Sequence, residues 1–374
     1  MAVSERDRNS AIDYNNRGVA HHNQQMYERA IDDFTHSIEF DPNVAATYYH
    51  RGLSYNGLQQ YKTAVKDFDT AVSFSPEFGE VYFHRGKSYT GMKQHNNAVK
   101  DYTRAVELQV GGSDLYRARG SEYFDMKNYD KAKDDYMKAL TLDSLLADAQ
   151  YYCGMCCMSL KQYEEAADYL TKAIELDYTE ANDVHASRGA AYYYLKNYEK
   201  SAADFSKAIE LNPSDANIYY RRGVNYSELK RYDDAVKDYD KAIELGINYA
   251  HIYYTRGVNR QNLRQHGAAV EDFTKAIELE PGKAEIYYKR GYSLDELKQY
   301  AQAIEDFTKA IEIDPHHVKA YNNRSVSYSN LKQYAKALED IKKAVELNPG
   351  EIIYLENLEI CRRLMRNKNE KKQG

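Results

Sequence analysis

The most reactive residues of this chain gather at Cys153, Cys156 and Cys157, three of its four cysteines, on one face of a helix. Thiolates at that spacing could hold a metal or take part in redox exchange. A structural zinc site needs four ligands, however, and no second CxxC or spaced histidine pair completes the set. Core packing is the better reading, because a buried free cysteine behaves as a small hydrophobe. His50 and His84 recur 34 residues apart. Helix axes lie about 8–10 Å apart in packed pairs, too far for simple joint coordination, so both histidines read as polar lining of a surface. His316 and His317 read as solvated turn residues. No GxSxG, Walker loop, HExxH or paired-carboxylate signature stands in a supporting context. Catalysis is not expected, and neither a cofactor nor a metal is implied.

Composition narrows the partners. The 51 Lys and Arg are balanced by 57 Asp and Glu, for a net charge of −6, and the signs are interspersed. That is not the basic footprint of a phosphate-backbone binder, so nucleic acid is not an expected partner. Residues Met1 to Ser10 are polar, and no apolar run approaches the roughly 20 residues needed to span a bilayer. A protein without membrane attachment or secretion signal is expected. Its sparse, crowded cysteines point to a reducing compartment, most simply the cytoplasm. Tyrosine is the anomaly: 38 Tyr stand beside 10 Phe and no Trp.

The elements that must position these residues come from a repeat. The phrases YYHRGLSY, YYRRGVNY and YYKRGYSL recur, each followed by a segment such as KQYAQAIEDFTKAIEIDP, and fix a period of 34 residues. Ten units begin at Ala11, Ala45, Gly79, Ser113, Ala147, Asn182, Ala216, Ala250, Ala284 and Val318, with one extra residue near Thr179 to Ala181. Each unit reads as two helices. Tyr219, Gly223 and Tyr226 form one apolar face of a first helix, and Ala235, Tyr239 and Ala242 that of a second. Glycine inside a helix is unfavourable by about 1 kcal/mol against alanine, so its presence at the eighth place of nine units implies close contact between the paired helices. All six prolines fall at the thirty-second place, where they end the second helix. Val110, Ser144, Tyr178 and Ile247 replace proline in repeats three, four, five and seven.

Period, small residues and terminal proline together resemble the tetratricopeptide repeat, over about nine-tenths of the chain. The resemblance implies an all-α, right-handed superhelical solenoid of ten helix-turn-helix repeats whose first helices line a concave groove. The expected organisation is a lead over 1–10, repeats over 11–351, a capping helix over 352–365 and a disordered basic tail over 366–374. Ser10 reads as the first N-cap. Leu355, Leu358, Cys361 and Met365 read as the buried stripe of a solvating cap.

The repeats serve as their own alignment. Nine units carry arginine at the seventh place and the same nine carry aspartate at the twenty-third, among them Arg222 with Asp238. Repeat five lacks both, having Cys153 and Tyr169. A bond between neighbouring units would orphan one charge on each side of that loss, so the pair is expected within each unit.

Function follows from what such an array offers: a long surface and no enclosed catalytic pocket. The expectation is a non-enzymatic scaffold that binds a protein or peptide segment in the groove. The alternative is an accessory factor of an RNA-processing or enzymatic complex. The family's clamp for acidic chaperone C-termini uses asparagine at the ninth place of its first repeat, and no ninth place here is asparagine; the NNRS at Asn322 to Ser325 lacks its partners. Such peptides are not expected to bind. If the family geometry holds, places two, five, six, nine, twelve and thirteen face the groove. Partner-binding residues are then Tyr49, Phe83, Arg117, Tyr151, Tyr220, Tyr254 and Tyr288 at the fifth place, with His50, His84, Arg221 and Lys289 at the sixth. Acidic groove places, among them Glu80, Asp114, Asp148, Asp183 and Glu285, outnumber basic ones such as Lys87 and Lys319. A ligand with apolar and basic side chains suits that surface.

Overall fold

The computed structural model describes residues 4–178 and 181–373, the backbone alone for 181–183 and 368–373. The insertion read near Thr179 to Ala181 and the side chain of Asp183 lie outside the described residues. Every regular element described is an α-helix, and the chain forms two compact units, Met1–Leu195 and Lys196–Gly374. The first holds α1 (Glu5–Asn23), α2 (Tyr27–Phe40), α3 (Ala45–Gly57), α4 (Tyr61–Phe74), α5 (Gly79–Gly91), α6 (His95–Glu107), α7 (Ser113–Asp125), α8 (Tyr129–Leu142), α9 (Ala147–Ser159), α10 (Tyr163–Glu175) and α11 (Ala181–Tyr194). The second holds α12 (Tyr198–Leu211), α13 (Ala216–Glu228), α14 (Tyr232–Glu244), α15 (Ala250–Asn262), α16 (His266–Leu279), α17 (Ala284–Glu296), α18 (Tyr300–Ile313), α19 (Val318–Asn330), α20 (Tyr334–Leu347) and α21 (Ile352–Gln373). Within each unit a first helix packs on its own second helix and on the second helix before it.

Two devices set this geometry. The turn inside each repeat places a non-glycine residue in the left-handed region, as at Lys93 (φ 57°), Lys127 (φ 59°) and Lys298 (φ 60°). The following amide then reaches back to close the helix end, Gln94 to the Tyr89 carbonyl at 2.9 Å. Glycine would adopt this conformation with less strain. The exit from the repeat depends on proline, which drives the residue before it to extended backbone. The C-cap residues Asp41 and Glu280 preceding proline have φ of −137°. Repeats three, five and seven lack proline and leave instead through Gln109, Asp177 and Gly246 at positive φ.

The glycines have the steric reason that their recurrence implied. A Cβ on Gly52 would stand 2.7 Å from the ring of Phe68, and one on Gly86 2.6 Å from that of Tyr102. Both rings are fully buried. Repeat ten, the exception, carries Ser325 opposite Ile341, both buried.

Both ends depart from expectation. α1 begins at Glu5, inside the segment read as a lead, and its N-cap is Ser4, whose hydroxyl accepts from the Asp7 amide. Ser10 lies within the helix and bonds the Arg6 carbonyl. The terminal helix continues to Gln373, through residues read as a disordered tail. Arg, Lys, Glu and Gln there are all good helix formers. Its buried stripe is Tyr354, Leu358 and Cys361, while Leu355 is exposed together with Ile352, Ile353 and Ile360. The helix lies in the register of a further first helix, which puts Tyr354 at the buried third place and leaves uncovered the face that a second helix would take.

These contacts separate two alanine substitutions. At Gly86 overpacking against Tyr102, worth about 1–3 kcal/mol, should exceed the gain in helix propensity of about 1 kcal/mol. At Gly120 the nearest atom to a new Cβ is 3.3 Å away, the Asp135 Cβ. Gly120→Ala should therefore lower the urea midpoint less than Gly86→Ala does; equal effects would refute the ring contact as the reason for glycine.

Candidate functional site

The first helices are held in place by their arginines. In the eight repeats that lie whole within one compact unit and carry both residues, the seventh-place arginine bonds the twenty-third-place aspartate of its own repeat. Arg222 donates from Nε and Nη2 to the two Asp238 oxygens at 2.8 and 2.7 Å. Arg51 does the same to Asp67, both at 2.8 Å. The aspartates are buried and the guanidinium of Arg222 lies over Tyr219 and Tyr226. Burial disfavours the Arg222 charge, but its bonds to Asp238 outweigh this and raise its pKa. The third donor was not foreseen: Nη1 reaches back to the preceding repeat's twenty-fifth place. Arg51 meets Thr35 at 3.1 Å, Arg85 Asp69 at 2.7 Å, Arg222 Ser206 at 3.0 Å and Arg290 Thr274 at 3.1 Å.

A second ladder, also unforeseen, joins successive first helices between the twelfth place of one and the tenth of the next. Its rungs include His22 with Ser54 at 2.9 Å, Ser88 donating to Asn56 at 2.8 Å and Ser227 donating to Asn259 at 2.9 Å. Gln261 donates to Ser293 at 2.7 Å, and the wholly buried Glu122 accepts from Thr90 at 2.5 Å. Between α7 and α9 the polar rung gives way to Phe124 and Cys156. Cys153, Cys156 and Cys157 are all fully buried, and burial raises their pKa, that of Cys156 to about 12. They are protonated core residues. Among the described residues no three His, Cys, Asp or Glu gather as a metal site.

On this frame the fifth-place residues of each compact unit form a row of rings more buried than expected. Phe83 and Tyr151 are buried; Tyr49, Tyr220, Tyr254 and Tyr288 are half-buried. Each of these four tyrosines touches the buried ring at the twenty-fourth place of its own repeat, with centroids 6.2 Å apart for Tyr49–Phe68 and 5.9 Å for Tyr220–Tyr239. The loop after the second helix adds a further ring in several repeats: Phe78 lies 5.0 Å from Tyr49, and His317 4.8 Å from Tyr288. Burial, with Glu80 or Glu285 nearby, pushes the Tyr49 and Tyr288 phenols up to about 12, so both stay neutral donors.

The sixth-place residues sit between these rings. His50 and His84 flank Tyr49 at centroid distances of 5.5 and 5.6 Å. His50 also meets Asn15 at 3.3 Å. Burial, then Lys87 and His22, brings His84 down to about 4. Arg117 is tied to Asp148 and Asp114 at 2.7 and 2.8 Å. Arg221 is exposed, and Lys289 lies 3.7 Å from Glu285. Asn322 of the NNRS segment is buried, its amide already bonded to Asn357 and Asn323 at 2.8 and 3.0 Å. The surface thus offers rings, phenol tips and mixed charge along successive parallel helices, the arrangement of a helical-repeat binding protein.

Comparison with known proteins agrees. Residues 11–44, 45–78, 79–109, 113–144, 147–180, 183–215, 216–246, 250–283, 284–317 and 318–351 each match the tetratricopeptide repeat. The chain belongs to the tetratricopeptide repeat family, whose members bind protein or peptide partners and typically act as non-enzymatic scaffolds. No curated protein matches the chain. Similar solved structures include YrrB, described as a TPR protein with an unusual peptide-binding site, at 28% identity over 51% of this chain and 98% of that one, with TM-score 0.48. A tetratricopeptide repeat protein from Parabacteroides merdae is similar at 19% identity over 67% and 98%, with TM-score 0.45. The P58(IPK) TPR domain is similar at 16% over 96% and 99%, with TM-score 0.33. No helix among the described residues is long and apolar enough to cross a membrane.

Two measurements test this geometry. Arg222→Ala strands a buried carboxylate and should lower stability by about 3 kcal/mol, whereas Arg222→Ala with Asp238→Ala should lose less than the two single changes summed. Additive losses would refute the pair. The depressed His84 pKa means that the unfolded chain binds the proton first as pH falls from 6.5 towards about 4. Stability from neutral His84 is thus full above pH 6.5 and is lost across that window, on the order of 3 kcal/mol. His84→Gln should flatten the acid limb of a denaturation series; an unchanged limb would show that His84 is not the group titrating.

Proposed function

We propose that this protein is a scaffold that holds an extended or helical segment of a partner protein along the first-helix face of its repeats. The observation that carries this reading is the row Tyr220, Tyr254 and Tyr288. Three half-buried phenols recur at the same place of successive repeats, each ring fixed by the core while the residue keeps exposed surface. Aromatic residues with a polar tip are typical anchors of binding surfaces, and truncating a hot-spot residue costs about 2 kcal/mol or more.

Charge refines the partner. Glu80, Asp114, Asp148 and Glu285 occupy groove places, and the bond from His317 to Glu285 first of all lowers the Glu285 pKa and keeps it ionised. A segment with apolar and basic side chains suits this balance. An acidic C-terminal peptide does not, because no ninth place is asparagine and Asn322 of the NNRS segment is already bonded within the fold.

The test uses the partner recovered from native lysate with the intact chain. Changing Tyr220, Tyr254 and Tyr288 together to phenylalanine should leave the melting temperature nearly unchanged and weaken the partner, since only the hydroxyls are lost. The triple alanine variant should lower affinity by about 30-fold or more. Full affinity in both variants would exclude this row as the docking surface.

A further inference from the structure

The hydroxyl of Tyr136 has no use in the structure described so far. Its ring is 1% exposed, and its oxygen is buried without a hydrogen-bond partner. Repeats three and seven carry tyrosine at the same place and satisfy it, Tyr102 through Thr90 at 2.9 Å and Tyr239 through Ser227 at 3.1 Å. The partner comes from the twelfth place of the first helix. In repeat four that place is Phe124, so the phenol is orphaned.

The Tyr136 side chain lines an open cavity of about 290 Å³, whose other walls include Lys87, Asp114, Arg117, Ser121, Asp148 and Tyr152. All six walls occupy groove places on α5, α7 and α9. The cavity opens where the row of fifth-place rings is interrupted by Arg117. Tyr152 lies parallel to the Tyr136 ring, centroids 5.4 Å apart. Burial first, then the Cys156 thiol, raises the Tyr136 pKa; the Ser121 side chain, near the phenol but short of hydrogen-bond geometry, lowers it only in part. The phenol is therefore a neutral donor in search of an acceptor, and buried polar groups are seldom left so.

The charges around it decide which acceptor. Both terminal nitrogens of Arg117 are engaged, by Asp148 and Asp114, and Lys87 rests over the Phe83 ring at 4.4 Å. Two cations face two carboxylates, so the lining is balanced. An incoming carboxylate would meet Asp114 and Asp148, and an ammonium would meet Arg117 and Lys87. A neutral group with an acceptor and a donor side by side meets neither repulsion.

We propose that this cavity receives the side-chain carboxamide of a glutamine or asparagine in the bound partner segment. Its carbonyl accepts from the Tyr136 hydroxyl, and its amino group donates to Asp148 or Ser121. The proposal rests on the groove reading above and adds to it a residue preference at one position.

The test uses the full chain and nine-residue peptide pools with blocked ends, the centre fixed as Gln, Asn, Glu, Lys or Ala and the other positions randomised. Binding is read by fluorescence anisotropy against the wild type and Tyr136→Phe, which keeps the ring and its packing. The Gln and Asn pools should bind about tenfold tighter than the others, the worth of one such hydrogen bond. Tyr136→Phe should abolish that preference while its melting temperature equals or exceeds that of the wild type. Binding without preference, or a preference that survives in Tyr136→Phe, overturns the cavity proposal and leaves the groove reading standing. An equal drop for all pools in Tyr136→Phe assigns the hydroxyl to a backbone amide and overturns it too. No binding by any pool overturns the groove reading itself.

Discussion

One guanidinium fastens three helices. The seventh-place arginine bonds the carboxylate of its own second helix through two nitrogens and, through the third, a hydroxyl or carboxylate on the second helix before it. A planar fork with donors in fixed directions can serve two neighbours at once, which a lysine ammonium cannot do with the same geometry. A buried ion pair is weak evidence of net stability, since desolvation opposes it. Its effect here is on register. With the fork engaged on both sides, the first helix has one rotation about its axis. That rotation turns the eighth-place glycine towards the buried ring and the fifth-place residue towards the open face.

Repeat five shows what replaces the clamp when it is absent. Cys153 stands for the arginine, Tyr169 for the aspartate, and Met137 occupies the twenty-fifth place of the preceding repeat, where Thr, Ser or Asp stand in every repeat that precedes a seventh-place arginine. All three polar corners are lost together. The ladder between first helices is also apolar here, with Phe124 against Cys156. A half-satisfied buried network is worse than none, so removing it whole is the economical route. The Tyr136 hydroxyl is one group that this replacement left behind.

How much of this was legible in the sequence depended on whether identity or only chemical type recurs. The period, the glycines, the terminal prolines and the Arg–Asp pair recur as identities, and ten copies reveal them without homologues. The link from arginine to the preceding repeat recurs as a type: Thr35, Asp69, Thr103, Ser206 and Asp240 share only an oxygen. Met137 opposite Cys153 was the visible trace of it. The ladder rungs are harder still, because His22 with Ser54, Thr90 with Glu122 and Gln261 with Ser293 complement one another without repeating. The fifth-place ring row was legible as a row but not in its burial, which Phe78, Tyr178 and His317 from the following loops determine. At the last helix a stripe beginning at Tyr354 and one beginning at Leu355 fit the same spacing, and only the neighbouring helices choose between them.

What every repeat shares is thus committed to holding repeats together, and the differences between their open faces fall to the places that vary. The fifth-place tyrosines illustrate the division. Each ring is already packed, so its rotamer freedom was lost on folding, and on the proposed groove reading a segment lying against it would not need to order it again. The same packing would limit how much ring area such a segment covers, leaving the phenol tips and their surroundings to discriminate. Those surroundings differ from repeat to repeat: neutral His50 and His84 beside Tyr49, exposed Arg221 beside Tyr220, and Lys289 with Glu285 beside Tyr288. On the proposed groove reading, a uniform frame carrying non-uniform sixth places would read position along a segment, one repeat at a time, with the frame's own regularity keeping those differences in register.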